Sequence, residues 1–212
     1  GVEAALIFST GYMANVGTLS ALLEDGALVY VDRLSHASII DGCRMSKATL
    51  RVFPHRDTQF LAHRLERVTS RQKVLIVTDG VFSMDGDLAP LPEMVRLAKQ
   101  HGAMVMVDDA HATGVLGRTG RGTLEHFGLE GQIPIQMGTL SKAVGVFGAY
   151  VAGSQDLMTF LLNRAKSFIY TTALPTPLVA ASLAALDLIE KEPQILQQLW
   201  DNRAYYEEGV KS

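Results

Sequence analysis

Lys142 stands in Gly138-Thr139-Leu140-Ser141-Lys142-Ala143-Val144-Gly145, just after an apolar run and away from any charged helix face. A lysine so placed is partly desolvated, which suits an amine that captures a carbonyl as a Schiff base. The competing reading is an ordinary lysine in a flexible loop. The stretch is not a G-x-x-x-x-G-K-[ST] phosphate loop, because the glycine spacing fails and Ala143 occupies the hydroxyl position. Asp108 closes Met104-Val105-Met106-Val107, and a carboxylate ending a buried strand needs a cation or strong donors. A protonated pyridine nitrogen, a metal ion shared by Asp108, Asp109 and His111, or a structural arginine would each serve, and Asp-Asp-Ala-His alone leaves the three open. A strand-end acid with a downstream lysine is what pyridoxal phosphate chemistry requires, one group for the pyridinium and one for the aldehyde.

Gly11-Tyr12 falls where a strand turns into a helix, a place where free backbone N–H groups and the helix dipole favour a phosphate. His36 and His111 lie in loops after predicted strands. Each alone reads as a satisfied loop histidine, but their shared rim favours a functional role. His55, His63, His101 and His126 have no such companions and read as surface residues.

The elements that must position these groups follow from periodicity. Short β-rich runs at 4–8, 28–31, 50–53, 74–78, 104–107, 134–137 and 149–151 alternate with helical patterns at 13–23, 38–47, 57–68, 91–100, 156–166, 177–190 and 193–208. Gly102 is placed to end the fourth helix, and Pro177 and Pro193 to open the last two. This is the pattern of an α/β fold, a mostly parallel seven-stranded sheet flanked by helices. Ligands of such sheets bind beyond the carboxyl ends of the strands, where the polar loops of this chain gather. Gly1-Val2-Glu3-Ala4-Ala5 reads as the approach to a buried strand, with no basic and long apolar signal region. Residues 202–212 end in a polar helical pattern without a cap, as a cut would leave them.

Of 212 residues, 48% are apolar, enough for a sizeable core, while 19 basic and 22 acidic side chains leave a net charge of −3 with no block of one sign. Neither a nucleic acid nor an anionic membrane finds an electrostatic footprint here. The uncharged stretch 167–186 holds Pro175 and Pro177 and reads as a turn followed by a helix, not a membrane span. Cys43, the single cysteine, cannot close an intrachain disulfide, so a reducing cytoplasm is expected.

Five ordered motifs carry a resemblance: Ser9-Thr10-Gly11-Tyr12-Met13-Ala14-Asn15, Leu34-Ser35-His36-Ala37-Ser38, Thr78-Asp79-Gly80-Val81-Phe82-Ser83-Met84-Asp85-Gly86, Val107-Asp108-Asp109-Ala110-His111-Ala112-Thr113-Gly114 and Thr139-Leu140-Ser141-Lys142-Ala143. Together they resemble the α-oxoamine synthases, acyl-CoA-using fold type I pyridoxal phosphate enzymes. Ser141 departs from the glycine that many members carry there. The resemblance implies a C-acyltransferase that joins an amino acid to an acyl-CoA with loss of CO2 and CoA. L-alanine with pimeloyl-CoA is the pair that 169–175 favours, and glycine with acetyl-CoA is the rival. A metal-dependent hydrolase built on Asp108, Asp109 and His111 is the alternative from another class, and a non-catalytic α/β binding module a further one.

Carried over by position, the resemblance makes Lys142 the residue that bonds to pyridoxal 5'-phosphate, Asp108 the partner of the pyridine nitrogen and His36 the imidazole over the ring. It puts Ser83 and His111 near the phenolic oxygen, Gly11, Tyr12 and Thr139 around the cofactor and its phosphate, and no metal in the site. Thr171 and Thr172 would reach the phosphate of a neighbouring subunit in a homodimer with shared active sites. Residues 1–212 then form the central cofactor-binding large domain of a longer enzyme, without its N-terminal arm and C-terminal small domain, the latter holding the arginine for the substrate carboxylate.

Overall fold

A computed structural model describes residues 2–69 and 71–211; Gly1, Ser70 and Ser212 lie outside the described residues, and with them the outermost residues of the two terminal stretches read above. The chain runs β1 (Ala4–Phe8), α1 (Gly11–Leu22), β2 (Leu28–Asp32), α2 (Ala37–Met45), β3 (Thr49–Phe53), α3 (Thr58–Leu65), β4 (Val74–Asp79), α4 (Leu91–His101), β5 (Met104–Asp108), α5 (Thr123–Phe127), β6 (Ile135–Thr139), β7 (Ala149–Gly153), α6 (Gln155–Arg164), α7 (Lys166–Ile169), α8 (Thr176–Lys191) and α9 (Pro193–Lys211). The strands form one sheet in the order β1-β7-β6-β5-β4-β2-β3.

From β3 through β2, β4 and β5 to β6 the pairing is parallel, as the alternation of strands and helices predicts. β7 is the exception, antiparallel to both β6 and β1. Its link to β6, residues 140–148, is too short for a crossover and closes a hairpin instead. In that link Leu140 N–H donates to Gly148 O at 2.9 Å, and Gly148 takes φ 114°, a backbone conformation open to glycine. Lys142 rides on this hairpin.

Strand β4 is buried along its whole length, and β2 and β5 along all but their first residue. Their near-continuous Val, Ile and Leu suit strands covered on both faces. On β4, Leu75 and Val77 face the core shared with α1, α2 and α6, whereas Val74 and Ile76 face the core shared with α3 and α4. The approach to β1 was expected to lead into a buried strand. Instead β1 is an edge, with alternating burial and Ile7 46% exposed, because its only sheet partner is β7.

Local chemistry sets the helix ends. Thr10, Asp57 and Ser154 cap α1, α3 and α6 through their side-chain oxygens, and Gly102, at φ 65°, ends α4 as its position predicts. The stretch 167–186 divides into α7, an irregular turn and the start of α8, and no helix among the described residues is long and apolar enough to cross a membrane. α5 and α7, of five and four residues, are too short for periodicity to reveal.

Gly42 fixes how closely α2 lies on α1. A Cβ there would meet Asn15 O at 3.0 Å and Val16 Cα at 3.1 Å, both backbone atoms that cannot swing aside. Gly42→Ala is therefore expected to force the helices apart and cost ~1–3 kcal/mol of stability, read as a lower urea midpoint at unchanged m. An unchanged midpoint would show that the two helices separate freely.

Candidate active site

Three adjacent parallel strands, β2, β4 and β5, end at the same rim in Asp32, Asp79 and Asp108, whose relative exposures are 0%, 5% and 3%. Asp79 and Asp108 are direct register partners. Such a row is costly unless donors or cations surround it. Asp32 is saturated: Leu34 N–H and His55 Nδ1 meet Oδ1 at 2.9 Å each, and Arg56 N–H donates to Oδ2 at 2.7 Å. Asp108 accepts from Asn15 Nδ2 at 2.7 Å and Ala110 N–H at 3.0 Å. Among the described residues no arginine, lysine or histidine forms an ion pair with Asp108, so the structural-arginine reading fails.

Asp79 accepts from His36 N–H at 3.0 Å. Burial, reinforced by the charge of Asp108 and opposed by that bond, pushes its carboxyl up to about 8. Asp109, beside Asp108 in sequence, faces elsewhere, as alternation at a strand end predicts. Thr123 Oγ donates to its Oδ1 at 2.6 Å and Thr123 N–H to its Oδ2 at 2.8 Å, while burial lifts its carboxyl to about 6. Both oxygens of Asp109 are thus held by Thr123. The only grouping of metal-ligand types found among the described residues is His55, Asp85 and Asp87.

His36 begins α2, where its Nδ1 accepts from Ser38 N–H at 3.2 Å and lies 2.7 Å from Ser38 Oγ. Its ring is exposed at the rim. His111 is partly buried, and its pKa is lowered by burial and by the charges of Lys142 and His36, against the pull of Asp108. His36, His111, Asp108 and Lys142 thus share one electrostatic neighbourhood. Lys142 itself is exposed at the tip of the β6–β7 hairpin. The partial desolvation expected of Lys142 is not found among the described residues.

Gly11 opens α1 in close contact with β6, where a Cβ would meet Thr139 Cγ2 at 2.8 Å and Met137 Cε at 3.2 Å. Thr139 is buried beside it. Tyr12 is 48% exposed and donates its hydroxyl to Asp41 Oδ2 at 2.9 Å, and Ser83 is exposed in the loop beyond β4. Thr171 and Thr172 stand apart from Asp108. With Ile7, Tyr150 and Leu183 they line an apolar cavity of about 1110 Å³ between β1, β7 and α8. None of Asp108, His36, His111 or Lys142 lines that cavity.

Sequence reasoning assigned no role to Asn15, Ser38 or Asp79, although all three lie inside the quoted motifs. A buried asparagine on an otherwise apolar helix stretch is the signal that could have found the first. His55, expected alone on the surface, bridges Asp32 and Asp87 and packs edge-on against Phe82 at 4.4 Å. Burial lowers its pKa, but the hydrogen bonds to the two carboxylates outweigh that and raise it overall.

A mostly parallel seven-stranded sheet flanked by helices, with a buried acid, an exposed imidazole and a loop lysine at its carboxyl rim, has the fold of the fold type I pyridoxal phosphate enzymes. All 212 residues match the Aminotransferase class I and II family, and the chain belongs to it. It is 51% identical over 212 residues to the 8-amino-7-oxononanoate synthase of Geobacter metallireducens, covering 99% of this chain and 54% of that protein. It is 48% identical over 211 residues to the enzyme so named from Thermoanaerobacter pseudethanolicus, covering 99% and 53%. The chain thus spans about half the length of the curated relatives it matches. A serine palmitoyltransferase from S. paucimobilis, solved with a bound PLP–myriocin aldimine, superposes with a TM-score of 0.92 at 42% identity, over 95% of this chain and 52% of that one. The 8-amino-7-oxononanoate synthase of Francisella tularensis does so at 0.83 and 32%, over 98% and 60%.

Asp79 generates a prediction of its own. A carboxyl whose folded pKa lies above its unfolded value binds a proton in the folded state first, so its contribution to stability is lost as pH rises from the unfolded value toward about 8. Asp79→Asn removes that loss. Between pH 6 and 8 the difference in unfolding free energy between variant and wild type, measured without added cofactor, is expected to grow by up to ~1.4 kcal/mol per pH unit. A pH-independent difference would show that Asp79 titrates in its ordinary range.

Proposed function

We propose that the protein holds pyridoxal 5'-phosphate at this rim. As the cofactor-binding part of a longer enzyme, it would condense L-alanine with pimeloyl-CoA to 8-amino-7-oxononanoate, releasing CO2 and CoA. The observation that carries the cofactor reading is Asp108, a buried acid at the sheet's carboxyl rim with donors on both oxygens and no cation of its own. A protonated ring nitrogen supplies what that carboxylate lacks. The start of α1 at the same rim fits a phosphate. When bound, the cofactor supplies an electron sink for negative charge at the substrate's α-carbon.

The chain's own residues do the rest. Lys142 Nζ would hold the cofactor and would serve as the base for the substrate's α-proton. Its exposed place on the hairpin leaves it free to change between those tasks. Asp108 would pair with the ring nitrogen, His36 would lie over the ring, and His111 and Ser83 would serve its phenolic oxygen. Thr139, Tyr12 and Gly11 position the phosphate, to which Thr171 and Thr172 of a second copy would contribute across a homodimer. The protein's setting would be the cytoplasm.

The two kinds of relative differ in what supports a substrate. The serine palmitoyltransferase matches better than the Francisella tularensis synthase in both backbone, 0.92 against 0.83, and identity, 42% against 32%, whereas the synthases of Geobacter metallireducens and Thermoanaerobacter pseudethanolicus reach 51% and 48% identity. Substrate choice lives in side chains, so identity is the better guide, and alanine with a pimeloyl thioester is preferred.

Borohydride reduction of the cofactor-loaded protein followed by peptide mapping is expected to find the phosphopyridoxyl group on Lys142; label on Lys47, Lys73 or Lys166 would overturn the assignment. Asp108→Asn is expected to lower kcat by about 10²–10⁴, as for loss of the partner of a buried cation worth ~3–5 kcal/mol. Asp109→Asn should chiefly cost stability through Thr123, and an equal loss of kcat would mean that the wrong carboxylate is assigned. Residues 1–212 expressed alone are expected to release no CoA from pimeloyl-CoA and alanine, while a polypeptide of the relatives' full length does. Equal turnover would show that the rim needs nothing beyond these residues.

A further inference from the structure

We propose that Asn15 and Ser38 are positioning residues that join the carboxylate of Asp108 to the imidazole of His36, so that the two groups assigned to the cofactor ring are oriented as one hydrogen-bonded unit. This rests on the pyridoxal phosphate reading above and adds two residues to it.

The direction of every bond in the unit follows from the chemistry of its members. Asn15 Nδ2 has only hydrogens to give, and it gives them to Asp108 Oδ2 at 2.7 Å and to Ser38 Oγ at 2.9 Å. Ser38 Oγ is therefore an acceptor toward Asn15, which leaves its own hydrogen for His36 Nδ1, 2.7 Å away. Nδ1 also accepts from Ser38 N–H, so the proton of the neutral ring sits on Nε2, at the exposed edge. Turning the Asn15 amide over would set its oxygen against an oxygen of Asp108, so the orientation has no alternative.

Burial shows that the amide is not there for packing. Asn15 is 1% and Ser38 0% exposed, inside the seam between α1 and α2 that Gly42 keeps tight. Asn15 Oδ1 is buried with no partner, a penalty that an apolar residue of the same size would avoid. The two donated bonds are what the amide provides in return. His36 is held a second time through its backbone, whose N–H donates to Asp79. The imidazole is thus referred by its side chain to Asp108 and by its main chain to the neighbouring strand end.

The test uses the full-length protein with Asn15→Leu, which deletes both donors and the orphaned oxygen while keeping the volume. Its melting temperature without cofactor is expected to fall modestly, because Asp108 Oδ2 and Ser38 Oγ lose a buried donor. Its dissociation constant for pyridoxal phosphate, from titration of the visible band, is expected to rise by about 10- to 100-fold, with a displaced absorption maximum. In cofactor-free protein, ¹⁵N NMR of His36 is expected to show Nε2 protonated in the wild type and a displaced Nδ1 resonance in the variant, where Ser38 Oγ has lost its donor. An unchanged dissociation constant and spectrum, or wild-type His36 shifts in Asn15→Leu, would overturn the proposal. If Asn15→Leu does not fold, Ser38→Ala replaces it with the same readouts. Failure of the wild type to bind pyridoxal phosphate would overturn the cofactor reading instead, and the His36 shifts would still decide on the unit.

Discussion

Burial of three carboxyl groups at the ends of neighbouring parallel strands is the constraint around which this rim is built. Parallel pairing puts all strand ends of one sense on one side, so Asp32, Asp79 and Asp108 come together there whatever the loops do. Their mutual repulsion and lost hydration cost several kcal/mol unless answered locally. The loops answer it. The turn after β2 bends back to donate from Leu34, His36 N–H reaches Asp79, and the segment after β3 inserts His55 and Arg56 against Asp32. Arg56 accepts a left-handed φ of 57° in doing so, held by Asp32 at its backbone and Asp87 at its guanidinium.

The three answers differ, and the differences separate scaffold from site. Asp32 is enclosed by donors and, through His55, ties the loop beyond β4 to the end of β2. Asp79 has one backbone donor and keeps its own proton well above the usual carboxylate range. Asp108 has two donors and no cation. Asp32 is answered by a histidine of the chain, whereas Asp108 is left with neutral donors alone, and a cation is what the proposed ligand would supply.

Much of this was legible in the sequence because it depends on short-range pattern. Apolar runs ending in Asp, glycines at Gly102 and Gly11, and prolines in the first turns of α8 and α9 place the strands and helices without knowledge of their neighbours. What was not legible depends on the third dimension. The reversal of β7 follows from hairpin closure at 140–148, not from any pattern within β7 itself. The exposure of Lys142 follows from where that hairpin points. His55 read as solitary because its partners lie 23 and 32 residues away. Asn15 meets Asp108 across 93 residues, a contact that only the stacking of α1 on the sheet creates.

The contrast between Asp108 and Lys142 fits the work proposed for them. An acid that must hold one ring nitrogen throughout a reaction cycle gains from immobility, and Asp108 is locked between a helix asparagine and its own turn. An amine that first anchors the cofactor and then carries a proton has to change position. Burying it would cost the desolvation of an ammonium and restrict its four-carbon stem. Mounting it on a hairpin whose ends are fixed to β6 and β7 gives it a rigid origin and a mobile head. A fixed acid and a movable base on one sheet rim therefore need different surroundings, and the fold supplies both from adjacent strands, β5 for the acid and the turn after β6 for the base.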